Sequence, residues 1–234
     1  MKAFDFTSMD RAFSSASKTS RPLDLSRRNS FYGRFGKRCF DLALALTLLP
    51  LFLPLIALVW ALTRLEDRGP GFYSQKRIGL NGKIFNCWKI RTMVINAEQA
   101  LQDLCDSDPE VAREWHENQK LAKDPRITRI GGFLRSSSLD ELPQIWNVIT
   151  GDMSFIGPRP FMTSQEHLYR QAGGESYFKV RPGITGNWQV EGRGQTTFVE
   201  RISYDDSYLE TLSFRRDMSL IWRTIAVIVN RTGH

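Results

Sequence analysis

Twenty-two consecutive residues, Leu42 to Thr63 (LALALTLLPLFLPLIALVWALT), carry no charge. At about 1.5 Å per residue, a helix of this length matches a hydrocarbon core of about 30 Å. Pro50 and Pro54 lie near its middle, and each removes a backbone donor and disturbs a helix. Both flanks are basic: Arg27, Arg28, Arg34, Lys37 and Arg38 precede the run, and Arg64, Arg68, Lys76 and Arg77 follow it. The positive-inside tendency draws each flank to the cytoplasm. A helix broken at Pro50 and Pro54 that enters and leaves by one leaflet satisfies both flanks, whereas a crossing helix satisfies one. A Pro-kinked spanning helix and a buried core helix stay open as alternatives. The run begins after 41 residues and lacks a small-x-small cleavage site, so no signal peptide is expected.

The division that follows is a disordered basic cytoplasmic tail over 1–33, a re-entrant membrane helix over 34–68 and a soluble domain over 69–234. Within the tail, Ser14 to Ser30 is rich in Ser and Arg, a composition suited to anionic lipid or to plain solubility. The chain has 32 Lys and Arg against 25 Asp and Glu, a net charge of +7, which favours an anionic partner. A nucleic-acid binder would interleave its cations with aromatics on a soluble face, but here many flank the apolar run, so no nucleic acid is expected. Cys39, Cys87 and Cys105 form no C-x-x-C, and His116, His167 and His234 stand far apart. Neither a disulfide framework, a zinc site nor a Ser–His triad is expected.

The soluble part reads as α+β: a mostly helical small domain with a β-hairpin. Gly71 to Met93 holds two strand-like runs about Asn81-Gly82, a strong hairpin signal. Phe85, Cys87, Lys89 and Arg91 share one face by the two-residue period. Lys89 and Arg91 would then project together, either to bind phosphate or as the charged outer face of a half-buried strand. Ala97 to Lys123 reads as helical with a break at DSDPE, where Asp108 caps and Pro109 opens the second helix. Met218 to Val229 can form an amphipathic helix, for a membrane surface or for ordinary core packing.

Arg135 to Asn147 (RSSSLDELPQIWN) sets Asp140 beside Glu141. Ser138 to Glu141 matches the S-x-x-E capping box, Leu142, Ile145, Trp146 and Ile149 follow at helical spacing, and Gly151 can end the helix. Capping explains Glu141 but does not need Asp140. Nor does it explain the rigid Pro158-Arg159-Pro160, or the glycine-punctuated Lys179 to Gly194 with Arg181 and Arg193. Arg135, Arg159, Arg181 and Arg193 all lie in turn-like surroundings, where arginines commonly clamp phosphate oxygens. A carboxylate among such cations is expected to keep a low pKa.

Taken together, GKRCFD, KIRTM, SLDELPQ, GDMSFIGPRP and RPGITG stand in the order in which they occur in the bacterial sugar transferases, the monotopic polyprenyl-phosphate phosphoglycosyl transferases. The chain resembles that family from about Phe35 to its C-terminus, and within it the exopolysaccharide initiators that transfer galactose-1-phosphate. The resemblance implies that Asp140 is a nucleophile attacking the β-phosphate of a UDP-sugar, with Glu141 its dyad partner and magnesium held at Asp140. Arg135 and the turn of Pro158, Arg159 and Pro160 correspond to phosphate-binding elements. Pro54 corresponds to the proline that breaks the re-entrant helix. Leu53 stands where some relatives carry serine, and Pro50 is an additional break, which bears on the depth of the hairpin.

The implied reaction joins a hexose-1-phosphate to undecaprenyl phosphate and releases UMP, on the cytoplasmic face of a bacterial inner membrane. UDP-glucose or a UDP-N-acetylhexosamine is the alternative donor, and a non-catalytic membrane scaffold for polysaccharide assembly is the alternative role. Nothing in the sequence decides for or against a homo-oligomer.

Overall fold

A computed structural model describes residues 24–118, 121–192 and 196–229, without the side chains of 116–118 and 228–229. Helices dominate and strands are few, as an α+β reading requires. In order these are α1 (Ser26–Asn29), a π-helical turn (Tyr32–Gly36), α2 (Lys37–Asp67), β1 (Phe72–Ile78), β2 (Ile84–Ile90), α3 (Ala97–Ser107), α4 (Pro109–Asn118), α5 (Arg129–Ser137), α6 (Gln144–Thr150), β3 (Ser154–Ile156), α7 (Glu166–Gln171), β4 (Gly183–Thr185), α8 (Asn187–Glu191), α9 (Arg201–Thr211) and α10 (Phe214–Val229). The tail read as disordered over 1–33 lies outside the described residues up to 23, and from Ser26 it is helical.

Pro50 and Pro54 both lie inside α2, which runs unbroken from Lys37 to Asp67. The expected break is therefore not an interruption of helix. Each proline deletes one hydrogen bond of the ladder, and the remaining bonds keep the segment helical. With the preceding turn the apolar helix spans Tyr32–Asp67, at a mean hydropathy of 2.6 in its most apolar window, of which only 17% is buried. A core helix would be mostly covered, so this low burial suits membrane association.

Two compact units make up the chain. The first draws on Met1–Thr47, Gln75–Cys87 and Gln144–His234, and the second on Leu48–Ser74 and Trp88–Pro143. β1 and β2 pair in a two-stranded sheet, turned by Asn81 and Gly82 at φ 58° and 79°, the conformation an Asn-Gly hairpin needs.

In the first unit the core is aromatic: Ile78, Phe161, Tyr169, Tyr177 and Phe178, joined by Phe198 and Ile202. Phe161 stacks on Tyr169 with ring centroids 5.1 Å apart and lies 4.2 Å from Tyr177. β3 and β4 pair in parallel, Ser154 opposite Gly183 and Ile156 opposite Thr185. The loops beyond them touch backbone to backbone, for a Cβ on Gly183 would fall 2.1 Å from the Gly157 nitrogen. Gly183→Ala should therefore overpack this contact and destabilise the protein by about 3 kcal/mol, the upper end for such changes. A lowered denaturant midpoint would register it, and an unchanged midpoint would contradict the packing.

The start of α2 is fastened into the same unit by buried polar groups. Lys37 Nζ lies 2.8 Å from Asp217 Oδ2, which also accepts from the Tyr32 hydroxyl at 2.6 Å. Asp41 Oδ1 accepts from Ser154 Oγ at 2.9 Å and the Phe155 N–H at 3.2 Å. Arg38 donates to the carbonyls of Val148 and Ile149, closing the C-terminus of α6. GKRCFD is thus the clamp that holds the apolar helix by its first turns.

In the second unit, α3 and α4 meet at Asp108, whose Oδ1 accepts from the Glu110 N–H at 2.8 Å. Arg126 is paired with Asp124 and its guanidinium lies 5.1 Å from the Trp115 ring centroid. Thr128 caps α5, accepting from the Gly131 N–H at 2.9 Å, while its own N–H bonds the Thr92 carbonyl.

Candidate active site

Asp140 and Glu141 sit in a single 3₁₀ turn, Leu139–Glu141, between α5 and Pro143. The expected capping box does not form. Ser138 adopts φ 57°, and its N–H closes α5 onto the carbonyls of Leu134 and Arg135. It therefore ends the preceding helix, and its side chain makes no cap to the next. α6 begins only at Gln144, after Pro143, and ends as expected at Gly151, φ 91°. The acidic pair is left without a capping duty.

What it has instead is a lysine. Lys89 Nζ donates to Glu141 Oε1 at 2.8 Å and lies 3.9 Å from Asp140 Oδ2. Arg135, one helical turn before the pair, donates its Nε to Thr92 Oγ1 at 2.8 Å. Asp140 is only 8% exposed. Burial pushes its carboxyl above the usual value of 3.8, and the Glu141 charge adds to the rise, while Lys89 and Arg135 act in the other direction. The expectation of a depressed pKa is thus overturned: loss of hydration outweighs the cations. A carboxylate with little water around it, neutralised by a neighbouring ammonium, is suited to attack an electrophile rather than to hold a helix end.

Lys89 and Arg91 do not project together. β2 ends at Ile90, so the two-residue period stops before Arg91. The Arg91 guanidinium is buried and donates to both Asp67 oxygens and to the carbonyls of Pro70 and Met93. It ties the end of α2 to the strand, and the structure does not bring it to the carboxylates. Arg181, in the first unit, donates its Nε to the Gly151 carbonyl at 2.8 Å; burial and the charge of Arg38 lower its pKa. Pro158, Arg159 and Pro160 form the turn that continues β3 in that unit. Arg193 lies outside the described residues.

Sequence reasoning passed over Lys37, Asp41 and Asp217, and also Arg201, which is buried in the first unit. The available signal was an acid, Asp41, standing directly before an uncharged run. A hard dication is served by one or two carboxylates with substrate phosphates supplying the rest. Asp140 and Glu141 offer such a donor set, and among the described residues no group of three or more His, Cys, Asp or Glu forms a cage.

The sequence pattern of the family described as Bacterial sugar transferase matches residues 32–231. A UDP-galactose-lipid carrier transferase of Erwinia amylovora is 44% identical over 86% of this chain and 42% of its own length. The exopolysaccharide production protein ExoY of Sinorhizobium fredii is 41% identical, over 86% of this chain and 88% of its own. A UDP-glucose:undecaprenyl-phosphate glucose-1-phosphate transferase of Caulobacter vibrioides is 40% identical, over 81% and 68%. The chain therefore spans less than half of the Erwinia relative and most of ExoY.

Proposed function

Because the chain belongs to the bacterial sugar transferase family, we propose that it transfers a hexose-1-phosphate from a UDP-sugar to undecaprenyl phosphate, releasing UMP. The observation that carries this reading is Asp140, buried in a turn it does not cap and neutralised by Lys89. In the first step a carboxylate oxygen of Asp140 bonds to the β-phosphorus of the donor. The bond from that phosphorus to the bridging oxygen breaks, and UMP leaves with the electron pair. In the second step a phosphate oxygen of the lipid attacks the same phosphorus and Asp140 is released as a carboxylate. Dividing the transfer lets a soluble and a membrane substrate use one nucleophile in turn.

Lys89 offsets the charge of the pair, and Glu141 holds Lys89 within reach of Asp140. Arg135 and Arg159 bind phosphate oxygens in this reading, which is mainly a matter of positioning and charge. Asp140, with the donor's diphosphate, would hold magnesium, which when bound supplies neutralisation of the transferring phosphate.

The donor is galactose-1-phosphate in our reading, supported by the name of the Erwinia relative; the Caulobacter relative makes UDP-glucose the runner-up. A panel of UDP-sugars scored by UMP release tests this. Turnover of UDP-galactose is expected, and turnover of UDP-N-acetylhexosamines without either hexose donor would overturn it.

The apolar helix enters and leaves by the cytoplasmic leaflet in this reading, supported by its basic flanks and by the two prolines within it. Cysteines placed near Ser30 and near Gly71 should label from the same side of sealed vesicles. Labelling from opposite sides would establish a crossing helix.

A further inference from the structure

Each carbonyl of the Pro158-Arg159-Pro160 turn is taken by a donor from a different part of the first unit. The Gly183 N–H bonds the Pro158 carbonyl at 2.8 Å, and Arg77 Nη1 bonds that of Pro160 at 3.3 Å. The middle carbonyl, that of Arg159, accepts from Arg201 Nη2. The two prolines have fixed φ angles and no N–H to offer, so the turn's conformation is set from outside.

Arg201 is 3% exposed, and its guanidinium lies 5.3–5.5 Å from the ring centroids of Phe161, Trp188 and Phe198. Its Nε is 3.7 Å from Asp205 Oδ2, which accepts from the Tyr169 hydroxyl at 2.8 Å. Apolar side chains of similar volume would fill such a space at lower cost than a buried ion pair. What the guanidinium supplies, and an apolar side chain cannot, is a hydrogen bond to the backbone of Arg159. The surface-facing Arg77 does the same for the next carbonyl.

We propose that Arg201, held by Asp205, is a positioning residue that fixes the backbone of Arg159 so that its guanidinium meets the donor diphosphate, with Arg77 as an auxiliary. This rests on the transfer reaction proposed above. A displacement of about 1 Å in such a group can cost on the order of a hundredfold in rate.

The test is a double-mutant cycle of Arg159→Ala with Arg201→Gln, and separately with Arg77→Gln, read as kcat and KM for UMP release from UDP-galactose and UDP-glucose. Arg201→Gln is expected to lower kcat/KM by about 30- to 100-fold in the wild-type background and less than about 3-fold when Arg159 is already alanine. Arg77→Gln, which removes a half-buried side chain, should show the same pattern at smaller size with an unchanged unfolding midpoint. It keeps the test decisive if Arg201→Gln does not fold. A merely structural role would multiply the losses in the double variants, and that result, or full activity of Arg77→Gln together with Arg201→Gln, would overturn the inference alone. A wild type that releases no UMP from any UDP-sugar would overturn the reaction and the inference together.

Discussion

Asp140→Asn should lower UMP release by about four orders of magnitude or more, the scale seen when a nucleophile is removed. The amide keeps the shape of the side chain but has no anionic oxygen to bond phosphorus. Stability should not fall with it. The Asp140 carboxyl has a folded pKa raised above 3.8, chiefly by burial. A carboxyl so raised binds more protons folded than unfolded, so its contribution to stability declines as pH rises from the unfolded value through the folded one. Above that range the native state holds an unfavourable buried charge, which asparagine does not carry. The variant's unfolding midpoint at neutral pH should therefore match or exceed the wild type, and any such gain should shrink on acidification. A variant that is inactive because it is unfolded would contradict this.

Lys89→Met is the second large effect. The ammonium is the group nearest both carboxylates, 2.8 Å from Glu141 and 3.9 Å from Asp140. Removing one positioned charge from a site of this kind commonly costs about a hundred- to a thousandfold in turnover. Lys89 also lowers the Asp140 pKa, whereas Glu141 raises it. Without Lys89 the two carboxylates repel unopposed, and Asp140 ionises at higher pH. The acid limb of the pH–rate profile should consequently move upward in Lys89→Met and largely return in Lys89→Arg. A limb that stays in place would separate Lys89 from the ionisation of Asp140.

How far these features could be read from sequence depended on whether their cause was local. The Asn81-Gly82 turn, the Asp108-Pro109 helix junction and the stop at Gly151 each follow from backbone preferences of one or two residues, and the structure contains all three. Ser138 was misread because S-x-x-E describes a cap only if the serine is extended, and here a left-handed residue ends α5 instead. Arg91 was misread because the strand stops one residue earlier, at Ile90. The direction of the Asp140 pKa depended on burial, which neighbouring charges in sequence do not report. Lys37 and Asp217 are 180 positions apart, so their pairing is visible only in the folded chain. Of the proposed phosphate-binding groups, Arg135 lies beside Thr92 in the second unit, and Arg159 is held in the turn that follows β3 in the first.

The central claim is that Asp140 becomes covalently loaded with the phosphosugar. Its most direct test is the intact mass of the purified protein after incubation with magnesium and UDP-galactose or UDP-glucose, without lipid acceptor. The wild type is expected to gain the mass of one hexose-phosphate, mapped to Asp140 by fragmentation and discharged on adding undecaprenyl phosphate, while Asp140→Asn gains none. A protein that releases UMP to the lipid yet never carries the adduct, or carries it on another residue, would contradict the account.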